Sequence, residues 1–172
     1  LVYRWDADGR VHFGDFSFTE TDTIPERIVN ISTVFHYPRG SKGTRENLDQ
    51  FSRFIAEAGN NKADIVCLPE AMTMAGTGLN YVSAAEPVPG PTTSYLGDVA
   101  KKHNLYIVAG ILEKEGNVVY NTAVLIDRKG SLAGKYRKVC LPREEIEGGI
   151  TPGTDFPVFD TDFGRIGIMI CW

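Results

Sequence analysis

Four short apolar runs, at 64–68, 105–111, 118–126 and 163–170, constrain the fold more than any other feature. Runs of this length, bounded by turn residues, read as buried strands. Two segments with helical spacing lie between them. Leu48, Phe51, Ile55 and Ala58 recur at i, i+3, i+7 and i+10, with Phe54 widening the stripe, so 44–58 is predicted helical. Glu46, Asp49, Arg53 and Glu57 take the opposite face, and Gly59 is the expected stop. A second helix is predicted over 91–103, with Tyr95, Leu96, Val99 and Ala100 inward. Further strands are expected at 27–35 and 131–138. A short edge strand is expected at 156–159, where Pro157 cannot donate to a ladder. The stretches 71–78 and 139–153 read as loops. Strand, helix, strand, helix and then mostly strands give an α/β or layered α+β arrangement with buried central strands.

The first 24 residues differ from the rest. Asp8-Gly9 is a hairpin-turn signal, and Val11, Phe13, Phe16 and Phe18 alternate as in a strand. They are expected to form either the tail of a preceding β domain plus linker or an extra edge hairpin. The main domain is then 25–172.

A net charge of -4 without a Lys/Arg cluster argues against nucleic acid as the main partner. No apolar run reaches the roughly 18 residues of a membrane span, so no membrane partner is expected. Arg4, Asp6, Asp8 and Arg10 do not read as a signal peptide. Cys67, Cys140 and Cys171 lack metal-ligand spacing and leave at least one thiol free, which leans toward a reducing, cytoplasmic setting.

Three reactive groups fall at predicted strand ends: Glu70, Lys138 and Cys171. Ligands bind beyond the carboxyl ends of strands in open α/β sheets. A thiolate can attack a carbonyl, and a neighbouring cation lowers its pKa. A carboxylate within reach can move the thiol proton and later activate water. An ammonium stabilises the oxyanion. Each residue also has an ordinary reading: an acid in a first turn after Pro69, a solvated basic strand end, and a core thiol.

Cys67-Leu68-Pro69-Glu70, Tyr136-Arg137-Lys138-Val139-Cys140-Leu141-Pro142 and Gly164-Arg165-Ile166-Gly167-Ile168-Met169-Ile170-Cys171 resemble three signature segments of the nitrilase, or carbon-nitrogen hydrolase, superfamily. Tyr120-Asn121-Thr122-Ala123 and Thr151-Pro152-Gly153 support the resemblance. It implies a four-layer αββα sandwich and a Glu-Lys-Cys triad on Glu70, Lys138 and Cys171. It also implies a second, supporting glutamate in the loop after the lysine strand. Glu147, before Gly148, matches best, with Glu144 and Glu145 as rivals. No metal or organic cofactor is implied, and association as a homo-oligomer is.

The expected function is hydrolysis of a small amide or N-carbamoyl compound through a cysteine thioester. Alternatives are a true nitrilase and a non-catalytic binding or scaffold module that keeps the fold. Two departures stand out. Cys140 replaces the His many members carry two residues after the lysine. The chain also starts with Leu and ends one residue after Cys171, so it is expected to be a fragment truncated just after the nucleophile.

Overall fold

The computed structural model describes residues 12, 14–23 and 26–171. The hairpin expected near residues 8–18 falls partly outside them, with its turn Asp8-Gly9 among the residues not described. Its described part, 12 and 14–18, makes no strand pairing among the described residues, and Phe16 and Phe18 are exposed.

The described residues form seven strands and four helices in the order β1 (Ile31–Thr33), α1 (Thr44–Asn60), β2 (Ile65–Cys67), α2 (Tyr81–Ala84), α3 (Pro91–His103), β3 (Tyr106–Glu115), β4 (Val118–Ile126), β5 (Leu132–Arg137), α4 (Arg143–Glu147), β6 (Val158–Thr161) and β7 (Gly164–Gly167). The first five strands form one sheet in sequence order. β1, β2 and β3 run parallel because helices connect them. β3, β4 and β5 run antiparallel through tight turns. One line of partners crosses the whole sheet: Thr33, Cys67, Val108, Leu125 and Gly134.

Alternation along the strands gives the sheet two apolar faces. Val66, Ile107, Ala109, Ile111, Val124 and Ile126 meet Leu48, Phe51 and Ile55 of α1 and Leu96 and Ala100 of α3. Each fully buried Leu, Ile or Phe contributes on the order of 2 kcal/mol. On the opposite face, Tyr106 and Leu125 pack with Phe159, Phe163, Ile166 and Ile168 of the β6–β7 hairpin. The described residues therefore build three layers: a helix pair, a five-stranded mixed sheet and a two-stranded sheet. This is the α-β-β side of the layered sandwich that the sequence implied.

Arg128, in the β4–β5 turn, ties the layers together. It donates to Asp64 at 2.7 Å, Asp162 at 2.8 Å and Asn104 O at 2.6 Å, and it lies over the Tyr106 ring.

Three expectations need correction. α1 continues through Gly59 to Asn60. A short helix, α4, occupies part of the stretch 139–153 that reads as a loop, and α2 lies at 81–84, where no element was predicted. The run 163–170 is not a strand covered on both faces. Only Gly164–Gly167 pairs, its residues alternate half-buried and exposed, and Met169 is exposed. It lays one face on β3 and pairs only with β6. Among the described residues, no helix is long and apolar enough to cross a membrane.

Candidate active site

Glu70 is placed by the end of β2 and by a glycine in β3. Beyond Cys67 the chain crosses β3, where Gly110 N–H donates to Pro69 O at 3.3 Å and Met72 N–H donates to Gly110 O at 2.9 Å. A Cβ on residue 110 would lie 2.6 Å from Glu70 Cα and 2.7 Å from Pro69 O. Only glycine lets the Glu70 backbone approach the strand this closely.

Lys138 leaves the end of β5, and its N–H donates to Asn121 O of β4 at 2.8 Å. Its side chain is 1% exposed. The ammonium donates to Glu70 Oε1 at 2.8 Å and to Glu145 Oε1 at 2.9 Å. Asn121 Nδ2 donates to the same two oxygens, at 2.7 and 3.0 Å. Four hydrogen bonds thus close a ring through Lys138, Glu70, Asn121 and Glu145. Asn121 and Glu145 are buried with Lys138, whereas the Glu70 side chain is 32% exposed. Glu70 is the member of the ring that reaches solvent. The second oxygen of Glu145 is buried without a hydrogen-bond partner.

The ring fixes the charge of the lysine. Burial opposes the ammonium, but its hydrogen bonds to Glu70 and Glu145 outweigh that and raise the Lys138 pKa. Lys138 is therefore a cation at neutral pH, and the two carboxylates leave the cluster with one net negative charge. The Tyr81 phenol feels this surplus. Its pKa is raised by burial first, then by Glu145, Glu144 and Glu70, with Lys138 opposing.

Glu147 does not stand beside Lys138, where the family resemblance leads one to expect the supporting glutamate. It is exposed and pairs with Arg143 one helical turn back, at 2.7 Å. The neighbour of Lys138 is Glu145, the rival position. The reason is α4: as a helix, 143–147 turns Glu145 inward and Glu147 out. Cys140, in place of the family's His, is exposed, and Lys138 takes its support from Asn121 and the two glutamates.

Cys171 is exposed and follows Ile170, which is buried against Ala123 and Tyr136. Those two residues lie two positions from Asn121 and Lys138, a strand repeat of about 7 Å. Among the described residues, Cys171 has no hydrogen bond to Glu70 or Lys138. Its backbone is left-handed at φ 46°, a conformation that a non-glycine residue rarely adopts and that concentrates at functional positions. Cys67 is half-buried, and burial pushes its thiol up, which keeps it protonated.

The structure thus brings Glu70 and Lys138 together, adds Glu145, and carries Cys171 on the neighbouring segment. Sequence reasoning did not assign Asn121 or Gly110 to the site. Asn121 was visible only as part of a supporting motif, and Gly110 only as a glycine inside a strand run, a signal of close backbone approach.

A layered α/β core and a buried lysine held between a glutamate that follows β2 and another on α4 define the class of the domain. The chain belongs to the carbon-nitrogen hydrolase family, whose model matches residues 38–172. It is 33% identical over 183 aligned positions to the bifunctional nitrilase/nitrile hydratase NIT4B of Nicotiana tabacum, covering 94% of this chain and 50% of that protein. It is 38% identical over 143 positions to the beta-ureidopropionase of Arabidopsis thaliana, covering 77% of this chain and 35% of that one. The chain spans about half the length, or less, of these curated relatives. Its fold matches a structure of the amidase from Nesterenkonia sp. AN1 in which acrylamide has added to the active-site cysteine. The TM-score is 0.70 at 20% identity, over 84% of this chain and 57% of that one.

Proposed function

We propose that this protein hydrolyses a non-peptide carbon–nitrogen bond of a small amide or N-carbamoyl compound, with Cys171 as nucleophile. The observation that carries this reading is the buried Lys138 ammonium held between Glu70 and Glu145. A cation fixed by two carboxylates and shielded from water has little use in packing, since buried ion pairs contribute little net stability. It suits a site where negative charge develops on a carbonyl oxygen.

In this mechanism Cys171 Sγ attacks the amide carbon as Glu70 takes the thiol proton. The oxyanion forms beside Lys138. Its collapse expels the amine, which leaves with the proton held by Glu70, and a thioester remains on Cys171. Water then attacks the thioester as Glu70 accepts its proton. The carboxylic acid departs, and that proton returns to the thiolate. Glu145, with Glu70, holds the lysine in register and keeps it charged, and Asn121 orients both carboxylates. The active-site cysteine named for the Nesterenkonia amidase supports the choice of Cys171 as nucleophile.

Nitrile hydrolysis is the second reading, favoured by the nitrilases among the sequence relatives. The same thiol would add to the nitrile carbon. Self-association belongs to the proposal as well, and light scattering of the purified protein tests it.

The main test is mass spectrometry of the protein quenched during turnover of acetamide. An acyl adduct on Cys171 is expected, together with complete loss of turnover in Cys171→Ser and at least a hundredfold loss in Lys138→Ala. Undiminished turnover by Cys171→Ala sinks the mechanism. Parallel assays with a nitrile and its amide separate the two readings.

A further inference from the structure

The buried ring exposes one member, Glu70, and beside Glu70 lies an open groove of about 560 Å³. Its walls are Tyr37, Ala71, Met74 and Leu79, with Gly76 and Gly78 in its floor. Gly76 is what keeps the Tyr37 wall close: a Cβ there would lie 2.3 Å from Pro38 O and 3.5 Å from the Tyr37 ring. The only charged side chain among the described residues lining the groove is Glu70 itself. Asn121, Lys138 and Glu145 are sealed from solvent, so a molecule that reaches the cluster past Glu70 meets this groove first. Met74 and Leu79 also line the adjoining groove that carries Tyr81, Val82 and Gly148.

Resting on the amide-hydrolase reading above, we infer that the groove holds the acyl group of the substrate, and that this group is an uncharged, apolar chain or ring. Two physical facts point to it. The wall is aliphatic and aromatic, so each methylene laid against it leaves water. The charged cluster at its inner end carries two carboxylates against one ammonium, and that ammonium already donates to both. A carboxylate at the far end of the acyl chain would find no free cation among the described residues lining the groove and a surplus of negative charge at its end. The site therefore selects neutral primary amides and rejects amides that end in an acid group.

The test compares hexanamide, acetamide and adipamate on the purified full-length protein at pH 7. Adipamate repeats the six-carbon chain of hexanamide with an ionised carboxylate at its end. Hexanamide is expected to exceed both acetamide and adipamate in kcat/KM by about tenfold or more, the range set by apolar contacts and like-charge rejection. Met74→Ala should reduce the hexanamide-to-acetamide ratio several-fold. Leu79→Arg should move the preference toward adipamate. Equal or better use of adipamate by the parent protein, with an acyl adduct still formed on Cys171, overturns the inference and leaves the amide-hydrolase reading standing. Unchanged selectivity in both variants overturns it too. No adduct from any of the three amides overturns the amide-hydrolase reading, and this inference with it.

Discussion

Replacing Gly110 with alanine tests how the site is positioned without touching any charged group. The added Cβ would stand 2.6 Å from Glu70 Cα, 2.7 Å from Pro69 O and 2.9 Å from Ala71 N. All three are backbone atoms, so no flexible side chain can swing aside. Ordinary contact begins near 3.4 Å, so the Glu70 segment must rise from β3 by about 0.8 Å. Rising stretches the backbone bonds between Gly110 and both Pro69 and Met72, and it draws Glu70 Oε1 from Lys138 and Asn121. Over-packing of this kind costs about 1–3 kcal/mol of stability. A displacement near 1 Å at a catalytic group costs roughly a hundredfold in rate. Gly110→Ala should therefore fold with unchanged circular dichroism, lose about 2 kcal/mol in urea unfolding, and fall about a hundredfold in kcat/KM. The reasoning is refuted if the variant keeps its stability within about 0.5 kcal/mol and its rate within about threefold of the parent, because ordinary surface changes do no more than that.

Other outcomes follow from named contacts. Glu145→Gln should lower turnover strongly, since it removes one of the two carboxylates that hold Lys138, whereas Glu147→Gln should change stability by less than about 0.5 kcal/mol and leave the rate intact; paired kinetics on the two variants decide it. The Asp64 carboxyl is held below its usual range by the Asn30 N–H and by Arg128. A depressed carboxyl pKa gives stability that is present above the unfolded value near 3.9 and is lost as pH falls through the folded one. Thermal midpoints should therefore drop steeply below about pH 4, and Asp64→Asn should flatten that slope; an identical slope in the variant counts against the Arg128 clamp.

The helix stripe of Leu48, Phe51 and Ile55 and the run 118–126 were legible because burial on a face imposes a period on the sequence. α3 was legible to its ends, since Pro91 opens it and Lys101, Lys102 and His103 fill its last turn. α4 was not: five residues carry too little periodicity to show a face, although Pro142 followed by Glu144 and Glu145 in a first turn is a start signal. The match of Glu147 to a glutamate before a glycine put it ahead of Glu145, and without the helix nothing showed that Glu145 is the one turned inward. The apolar run 163–170 looked covered on both sides because a short run cannot reveal which face is used. The meeting of Glu70 with Lys138 spans 68 residues, and no local pattern encodes it. Only the family resemblance suggested it.

The ring around Lys138 also has an order of assembly written into its spacing. Lys138 and Glu145 are 7 residues apart, Asn121 and Glu145 are 24, and both contacts of Glu70 span more than 50. Closing a 68-residue loop rather than a 7-residue one costs about 2 kcal/mol more in chain entropy. The β4–β5 hairpin with α4 can therefore bring Asn121, Lys138 and Glu145 together while the parallel strands are still searching for their partners. That half-site is electrically balanced, one ammonium against one carboxylate. Loop entropy favours placing Glu70 last, when β2 docks on β3, and Glu70 brings the surplus negative charge with it. The group that the proposed mechanism uses to move protons is thus the one whose placement depends on the longest loop closure, while the local pair of Lys138 and Glu145 is formally neutral.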